Sequence, residues 1–470
     1  METKCGDVVV LVPGLMGSAL TCHGQTCWDT RIASLARLLV HRMRDIDKLM
    51  LTEDSPTAEF LDDGVRAVSV IRDVHFIPGL WKIDGYSKII EELQRKLNLR
   101  MGENLFEFPY DWRRDIRSSA RRLRDSALNW LTRWRSSSGN HDAKLVLLGH
   151  SMGGMVSRYF LEALGGWTEA RSLVTFGTPY RGSIQALRSL VNGYKFHLGP
   201  LKFGLERFSR TVTSGYQLLP AWECLDRGDG TLVRPGEVEG VPNLDSQRAA
   251  EGLKFLRELQ DAVDANRKDP LWEERGYKTH PVVGTRQRTY VSGVLEGDFL
   301  RCLHTIRGKE IDGDGTVSRV SAVPLELSKA GRELFVVSPH ASMQNADVVL
   351  AHVDGLLTAQ EINLAEFFGP GDLEIGLSID DLQYAGDPLR FTLYPSDDDP
   401  GPVELRVVNV EDGATVLLRT IESGTGEIRV DPLPPGTYRV HIGGEAVVPV
   451  NDIVGVVDLK EIEGEADAAS

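Results

Sequence analysis

Residues 144–160 read KLVLLGHSMGGMVSRYF, and this stretch decides the fold. The apolar run from Lys144 to Leu148 has the length and composition of a buried strand. The apolar residues Met155, Val156, Tyr159 and Phe160 then recur at helical spacing. Between them stands Gly149-His150-Ser151-Met152-Gly153, a Gly-x-Ser-x-Gly element in a strand-to-helix turn. Such a turn forces the serine onto a tight bend at the carboxyl end of a sheet, with its hydroxyl presented. Glycines two residues to either side are required, because a Cβ there would meet the neighbouring strand and helix. The Met152 N–H opens the helix and points at any oxyanion that forms beside Ser151. A serine in an ordinary Gly-rich turn needs none of this context, so strand, elbow and helix together favour a nucleophile.

The rest of the chain fits a soluble enzyme of more than one domain. At 470 residues it is too long for one ordinary core. Hydrophobic residues make up 41% and charged residues 26%, as in globular proteins. The net charge of −15 argues against non-specific nucleic-acid binding. No apolar run reaches the roughly 18–20 residues that a transmembrane helix needs. The start, METKCGDVVVLVPG, lacks a basic segment followed by an apolar one, and reads as a strand rather than a signal peptide. Cys5, Cys22, Cys27, Cys224 and Cys302 are odd in number and show no zinc-ligand spacing, so neither a disulfide framework nor a metal site is expected, with a small loop closed by Cys22 and Cys27 as the lesser alternative. That usage points to the cytoplasm. Arginines crowd residues 113–135, where Ile116, Ala120, Leu123 and Ala127 fall on one helical face. This basic amphipathic helix reads as one packed on a sheet, with peripheral membrane contact as the alternative.

Strand and helix patterns alternate over the first part of the chain, which predicts an α/β fold with a mostly parallel sheet and helices on both faces. Strands are expected at 7–12, 144–148, 172–176, 288–293 and 333–337, and helices at 84–97, 116–135, 152–164 and 346–358. The alternation lapses over about 183–285, which reads as a cap inserted over the site. The catalytic unit is expected to span 1–368, ending before the turn Gly369-Pro370-Gly371. Short alternating segments with turn signals then fill 369–460 and predict an immunoglobulin-like β-sandwich. The acidic tail 461–470 is expected to be disordered.

An elbow serine needs a base, and the base needs a carboxylate to hold its tautomer. In this arrangement both follow the serine, acid first. Asp312-Gly313-Asp314-Gly315-Thr316-Val317 offers the acid, with Asp314 the better placed and Asp312 the fallback. The calcium-loop spacing of an EF-hand is absent there. Of the later histidines, His340 follows the last core strand in Ser338-Pro339-His340, where its ring can turn back to Ser151. His352 falls in a helical run, where it is expected to face solvent or be satisfied locally, and His441 falls in the β-rich part. The second oxyanion donor is expected from Val12-Pro13-Gly14-Leu15-Met16-Gly17-Ser18, where glycines let the Leu15 N–H approach that of Met152.

These motifs, with Phe108-Pro109-Tyr110-Asp111-Trp112-Arg113, Gly177-Thr178-Pro179 and Tyr216-Gln217-Leu218-Leu219-Pro220, resemble the lecithin:cholesterol acyltransferase family of the α/β-hydrolase superfamily. The resemblance implies an α/β-hydrolase fold and a serine hydrolase or O-acyltransferase acting on lipid acyl esters. It implies Ser151 as nucleophile, Asp314 as acid, His340 as base, and the Leu15 and Met152 N–H groups as oxyanion hole. It implies no metal or organic cofactor, and as partners an acyl-ester substrate and an acceptor, either water or an alcohol. The family's paired cysteines are not evident here, and the C-terminal β-region is foreign to its pattern. A soluble carboxylesterase, or a non-catalytic protein binding partners through its β-sandwich, are the alternatives. Trp112 reads either as an acyl-pocket wall or as core beside a buried Asp111–Arg113 pair.

Overall fold

The computed structural model describes residues 5–28, 47–72, 75–77, 81–193, 195–198, 201–204, 206–328, 331, 333–358, 373–395, 402–422, 426–444 and 447–458. The central sheet has six strands: β1 (Val8–Val12), β2 (Leu105–Glu107), β3 (Leu145–His150), β4 (Ala170–Phe176), β5 (Lys278–Gly284) and β6 (Leu334–Val336). Their order is β6-β5-β4-β3-β1-β2, and every pairing is parallel. The chain runs from β1 outward to β2, then returns to the other side of β1 as β3. The carboxyl ends of β1 and β3 therefore flank the point where the strand order reverses, the place where open α/β sheets form their sites.

The sheet is covered on both faces, as its sequence requires. β1, VVVLV, is buried at every position. Val8, Val10 and Val12 join one core with helices α2 (Ile116–Ser138) and α3 (Met152–Ala163). Val9 and Leu11 join the other with α1 (Ser87–Leu97) and a C-terminal helix, Asp347–Leu357. α2 begins on Asp115, whose side chain accepts the Arg117 N–H, and ends at Gly139 with φ +72°.

Two of the core strands, β2 and β5, are not among those expected, and one expected core strand lies elsewhere. β2 is an edge strand of only three residues, too short to stand out in the sequence. β5 lies within the stretch read as cap, because His280 and Pro281 interrupt its apolar run. The segment read as a core strand at 288–293 instead leads into Ser292–Glu296, part of a separate four-stranded sheet. There Leu225–Asp226, from before β5, pairs in parallel with Gly293–Val294, from after it. The cap is thus assembled from two segments on either side of β5. The helix Ser246–Asn266, also read as cap, packs on α3, with the Tyr159 and Phe255 rings stacked 5.6 Å apart.

Eight strands between Leu373 and Val457 form the C-terminal β-sandwich. Strand Leu373–Ile379 joins its two sheets: its first residues pair with Val447–Val448 and its remainder with Phe391–Pro395. Strand Val403–Asn409 shows the alternation, with Val403, Leu405 and Val407 buried and Glu404 and Arg406 exposed. The sandwich rests against the parallel-sheet part of the chain: Arg439 pairs with buried Asp84, and a Cβ on Gly376 would lie 2.7 Å from the Arg286 carbonyl. The turn Gly369-Pro370-Gly371 and the tail 461–470 lie outside the described residues.

Cys22 and Cys27 are bonded to each other, closing a hairpin end. The lesser alternative of the sequence reading is the one observed, while Cys5, Cys224 and Cys302 are free, and cysteine usage no longer points to a cytoplasmic setting. Among the described residues no helix is long and apolar enough to cross a membrane. Several arginines of the 113–135 stretch are held by partners within the molecule: Arg114, just before α2, by Asp54 and three carbonyls, Arg117 by Asp115 and Glu258, and the part-exposed Arg135 by Glu169.

Candidate active site

Ser151 follows β3 with φ +52° and ψ −124°, a conformation that costs a non-glycine residue energy and marks a constrained turn. The turn is held by the Ser151 N–H donating to the Phe176 carbonyl (2.8 Å) and by Thr178 Oγ1 donating to the Ser151 carbonyl (2.9 Å). Two glycines show why the motif is spelled as it is. A Cβ on Gly149 would lie 2.6 Å from Gly154 Cα, and one on Gly153 would run into the Val12 and Pro13 carbonyls.

The loop after β6 brings His340 onto this serine. Its Nε2 lies 2.9 Å from Ser151 Oγ and its Nδ1 2.7 Å from Asp314 Oδ2. The backbone locks the two loops together, His340 N–H donating to the Asp314 carbonyl at 2.8 Å. The other carboxylate oxygen of Asp314 accepts from the N–H groups of Thr316 (2.9 Å) and Val317 (2.6 Å). The acid is therefore fixed in place and fully buried. Asp312 is turned away, accepting from the Arg286 N–H at 2.8 Å and pairing with Arg319. His352 is buried in its helix, not solvent-facing, and its Nδ1 has no partner; burial holds its pKa below the usual 6.5. His441 sits in the sandwich, with Nδ1 2.7 Å from Asn451 Oδ1.

The loop after β1 abuts the elbow, since a Cβ on Gly14 would lie 3.0 Å from the Ser151 Cβ. Gly17 N–H closes the turn onto the Gly14 carbonyl (3.0 Å), and Gly14 N–H is taken by Tyr86 Oη (2.9 Å), which leaves the Leu15 N–H unused by either bond. Met152 N–H is the first of α3 and has no intrahelical acceptor.

Two residues without a motif tie these parts together. His150 Nε2 lies 3.0 Å from the His340 carbonyl, and its Nδ1 2.8 Å from Tyr86 Oη. A carbonyl can only accept, so Nε2 carries the proton and Nδ1 accepts from the Tyr86 hydroxyl, whose oxygen in turn accepts the Gly14 N–H. One chain of hydrogen bonds thus links the Leu15 loop, the elbow and the base. Sequence reading passed over Tyr86, because nothing local marks a tyrosine 65 residues before the serine. Tyr86→Phe is expected to lower kcat roughly five- to tenfold with little change in KM, as two buried groups lose their partner. Steady-state kinetics on a short ester check this, and a loss of stability with unchanged kcat would contradict it.

Burial, with the neighbouring His340, pushes the His150 pKa from 6.5 down to about 3. The unfolded chain takes up a proton at this residue below 6.5 while the native protein does not, so stability falls as pH drops from 6.5 towards 3. His150→Gln is expected to remove up to about 1.4 kcal/mol per pH unit from that slope. Urea unfolding across the window measures it, and parallel slopes would refute it.

Asp111-Trp112-Arg113 is a buried strut. Arg113 Nε and Nη2 reach the Asp111 carboxylate at 2.8 and 2.6 Å, and Nη2 also reaches Asp63 at 2.7 Å. Trp112 is fully buried, donating to the Ser18 carbonyl (3.1 Å) and packing edge-on against Trp28.

A six-stranded parallel sheet with a strained serine elbow at its switch point, a cap and an acid–histidine pair after it defines an α/β-hydrolase fold. The family model of lecithin:cholesterol acyltransferase matches residues 42–239, in agreement with the resemblance carried by the motifs. That stretch holds Ser151 and the Tyr110–Arg113 and Tyr216–Pro220 elements, but not the Leu15 loop, Asp314 or His340. Among solved structures the chain is similar to the mature lipase BlEst2 of Bacillus licheniformis, with 12% identity over 75% of this chain and 91% of that one and a TM-score of 0.29. It is similar to phospholipase PlaB of Legionella pneumophila, with 9% identity over 96% and 92% of the two chains and a TM-score of 0.25. It is also similar to the peroxisomal α/β-hydrolase Lpx1 of Saccharomyces cerevisiae, with 12% identity over 77% and 80% and a TM-score of 0.25. No curated protein matches the chain.

Proposed function

We propose that the chain is a serine-dependent acyl-ester hydrolase or O-acyltransferase acting on lipid acyl esters. The observation that carries this reading is the hydrogen-bonded line from Ser151 Oγ through the His340 ring to Asp314, at 2.9 and 2.7 Å. In the first half-reaction Ser151 Oγ attacks the ester carbonyl and its proton passes to His340 Nε2. The Leu15 and Met152 N–H groups receive the oxyanion. Asp314 keeps Nδ1 protonated and stabilises the imidazolium. Collapse breaks the acyl C–O bond, and His340 returns its proton to the leaving alkoxide. Water or an acceptor alcohol, deprotonated in turn by His340, then takes the acyl group from the serine. The lipid class of the substrate is supported by the family match over residues 42–239.

Fluorophosphonate labelling followed by peptide mapping tests the nucleophile, with modification expected at Ser151 alone. Phospholipid, acylglycerol and short p-nitrophenyl esters, each with and without an acceptor alcohol, test the substrate. Turnover confined to short soluble esters would favour a carboxylesterase instead. An unlabelled, inactive protein would favour a binding role, against which an intact hydrogen-bonded triad counts.

A further inference from the structure

The loop that carries His340 is braced by the segment Asp84-Gly85-Tyr86, which leads into α1. The Asp84 N–H donates to the carbonyl of Ala341, the residue after the base, at 3.0 Å. Gln344 Nε2 donates to the Gly85 and Ala341 carbonyls at 2.8 and 3.1 Å. Asn345 Nδ2 donates to the Asp84 and Gly85 carbonyls at 3.1 and 3.2 Å. Ala341, Gln344 and Asn345 are thus all tied to Asp84 and Gly85. Tyr86, next in line, meets His150 and Gly14 as described above.

The charge on this segment is compensated from the β-sandwich. The Asp84 carboxylate is buried, and burial pushes its pKa above the usual carboxylate range while the Arg439 guanidinium pulls it back. Arg439 belongs to the sandwich strand Gly436–Gly444. Tyr438, Val440 and Ile442 of that strand lie in the sandwich core, so its alternation turns Arg439 to the other face, where it pairs with Asp84. The nearby Lys88 is engaged by Asp347, at 2.8 Å. A buried carboxylate deprived of its cation must take up a proton or draw in water, and either loosens the segment around it.

We propose that Arg439 is a positioning residue for the catalytic base, supplied by the β-sandwich. Its charge keeps Asp84 in place, Asp84 and Gly85 hold the segment from Ala341 to Asn345, and that segment fixes His340 Nε2 against Ser151. This rests on the catalytic reading of His340 given above, and it makes the sandwich part of the active-site frame. Arg439 touches no reacting atom, so its loss acts on the placement of the base and not on the binding of substrate.

Kinetics of the full chain on p-nitrophenyl butyrate test this. Arg439→Gln, which keeps the side chain's length without its charge, and Arg439→Ala are each expected to lower kcat about tenfold, with KM changed less than about twofold. Arg439→Lys keeps more of kcat than either. Adding Asp84→Asn to Arg439→Gln is expected to recover part of the loss, because a neutral amide needs no cation. A cavity of about 520 Å³, whose walls include Ser342, Val447 and Pro449, borders the Asp84–Arg439 pair. Ethylguanidinium at millimolar concentration is therefore expected to restore part of kcat to Arg439→Ala and to leave the native chain unchanged. Leu405→Ala, which hollows the sandwich core without touching the pair, is expected to lower the melting temperature with kcat unchanged at room temperature. The proton between His340 Nδ1 and Asp314, a far-downfield NMR signal that His340→Ala removes, reads the placement of the base without turnover. It is expected to shift or broaden in Arg439→Gln and to return in Arg439→Lys. An unchanged signal in folded Arg439→Gln, or a loss of kcat equalled by Leu405→Ala, overturns the proposal. Turnover that survives Ser151→Ala would instead overturn the catalytic reading, and the NMR signal then still decides whether Arg439 positions His340.

Discussion

Ser151→Ala is expected to lower ester turnover by roughly 10³-fold or more, about 4 kcal/mol of transition-state stabilisation, while the protein stays folded. The size follows from the chemistry lost. Without Oγ there is no acyl-serine, and only direct attack by water remains, helped by whatever the oxyanion donors and substrate positioning supply. His340→Ala should fall to a similar level, and the double variant should be no worse than either, because base and nucleophile act as a unit. The substitution at 151 is structurally mild. The elbow is held through the Ser151 backbone, its N–H donating to the Phe176 carbonyl and its carbonyl accepting from the Thr178 hydroxyl, and neither bond involves the Ser151 Oγ. Alanine tolerates the positive φ no better than serine, so stability should change little. Burst and steady-state kinetics with thermal melts read both quantities. A folded Ser151→Ala protein that keeps its activity would place the chemistry elsewhere.

The second large effect separates two aspartates that stand two residues apart. Asp314→Asn is expected to cost about 10³-fold or more in kcat, because the amide presents its donor to His340 and favours the wrong tautomer. It also weakens the grip of the backbone N–H groups of Thr316 and Val317 on the side chain, which bond to the Oδ1 position at 2.9 and 2.6 Å. Asp312→Asn is expected to cost less than about tenfold, since Asp312 meets Arg286 N–H and Arg319 rather than the imidazole. Its effect should appear mainly in stability, through the loss of a partly exposed ion pair. Equal losses in kcat at the two positions, measured on the same soluble ester, would remove Asp314 from its role.

How the chain divides between what was legible and what was not follows from the range of the interactions. The elbow is local: an apolar strand, five turn residues and a helix follow one another within 144–160, and their steric demands are written in adjacent glycines. The alternation of Val403, Leu405 and Val407 with charged residues is equally local, so the β-sandwich could be read without its partners. The candidate base was legible because His340 stands in the turn directly after the core strand Leu334–Val336. The acid was legible only as a short Asp-Gly-Asp-Gly turn, about 30 residues beyond β5, that left two aspartates open. β5 was not legible, because His280 and Pro281 break the apolar pattern that its central position would otherwise impose.

The sequence by itself therefore determined the class of fold, the nucleophile candidate and the order of the residues that could serve it, since each depends on spacing along the chain. Only the tertiary structure decided which aspartate faces the imidazole, because Asp312 and Asp314 differ in direction and not in composition. It alone joined Tyr86, His150 and His340 into one chain of hydrogen bonds across separations of 64 and 190 residues. It alone set Arg439 of the β-sandwich against Asp84, across a separation of 355 residues. Contacts of that range are fixed by the packing of whole layers, and no local pattern of residues encodes them.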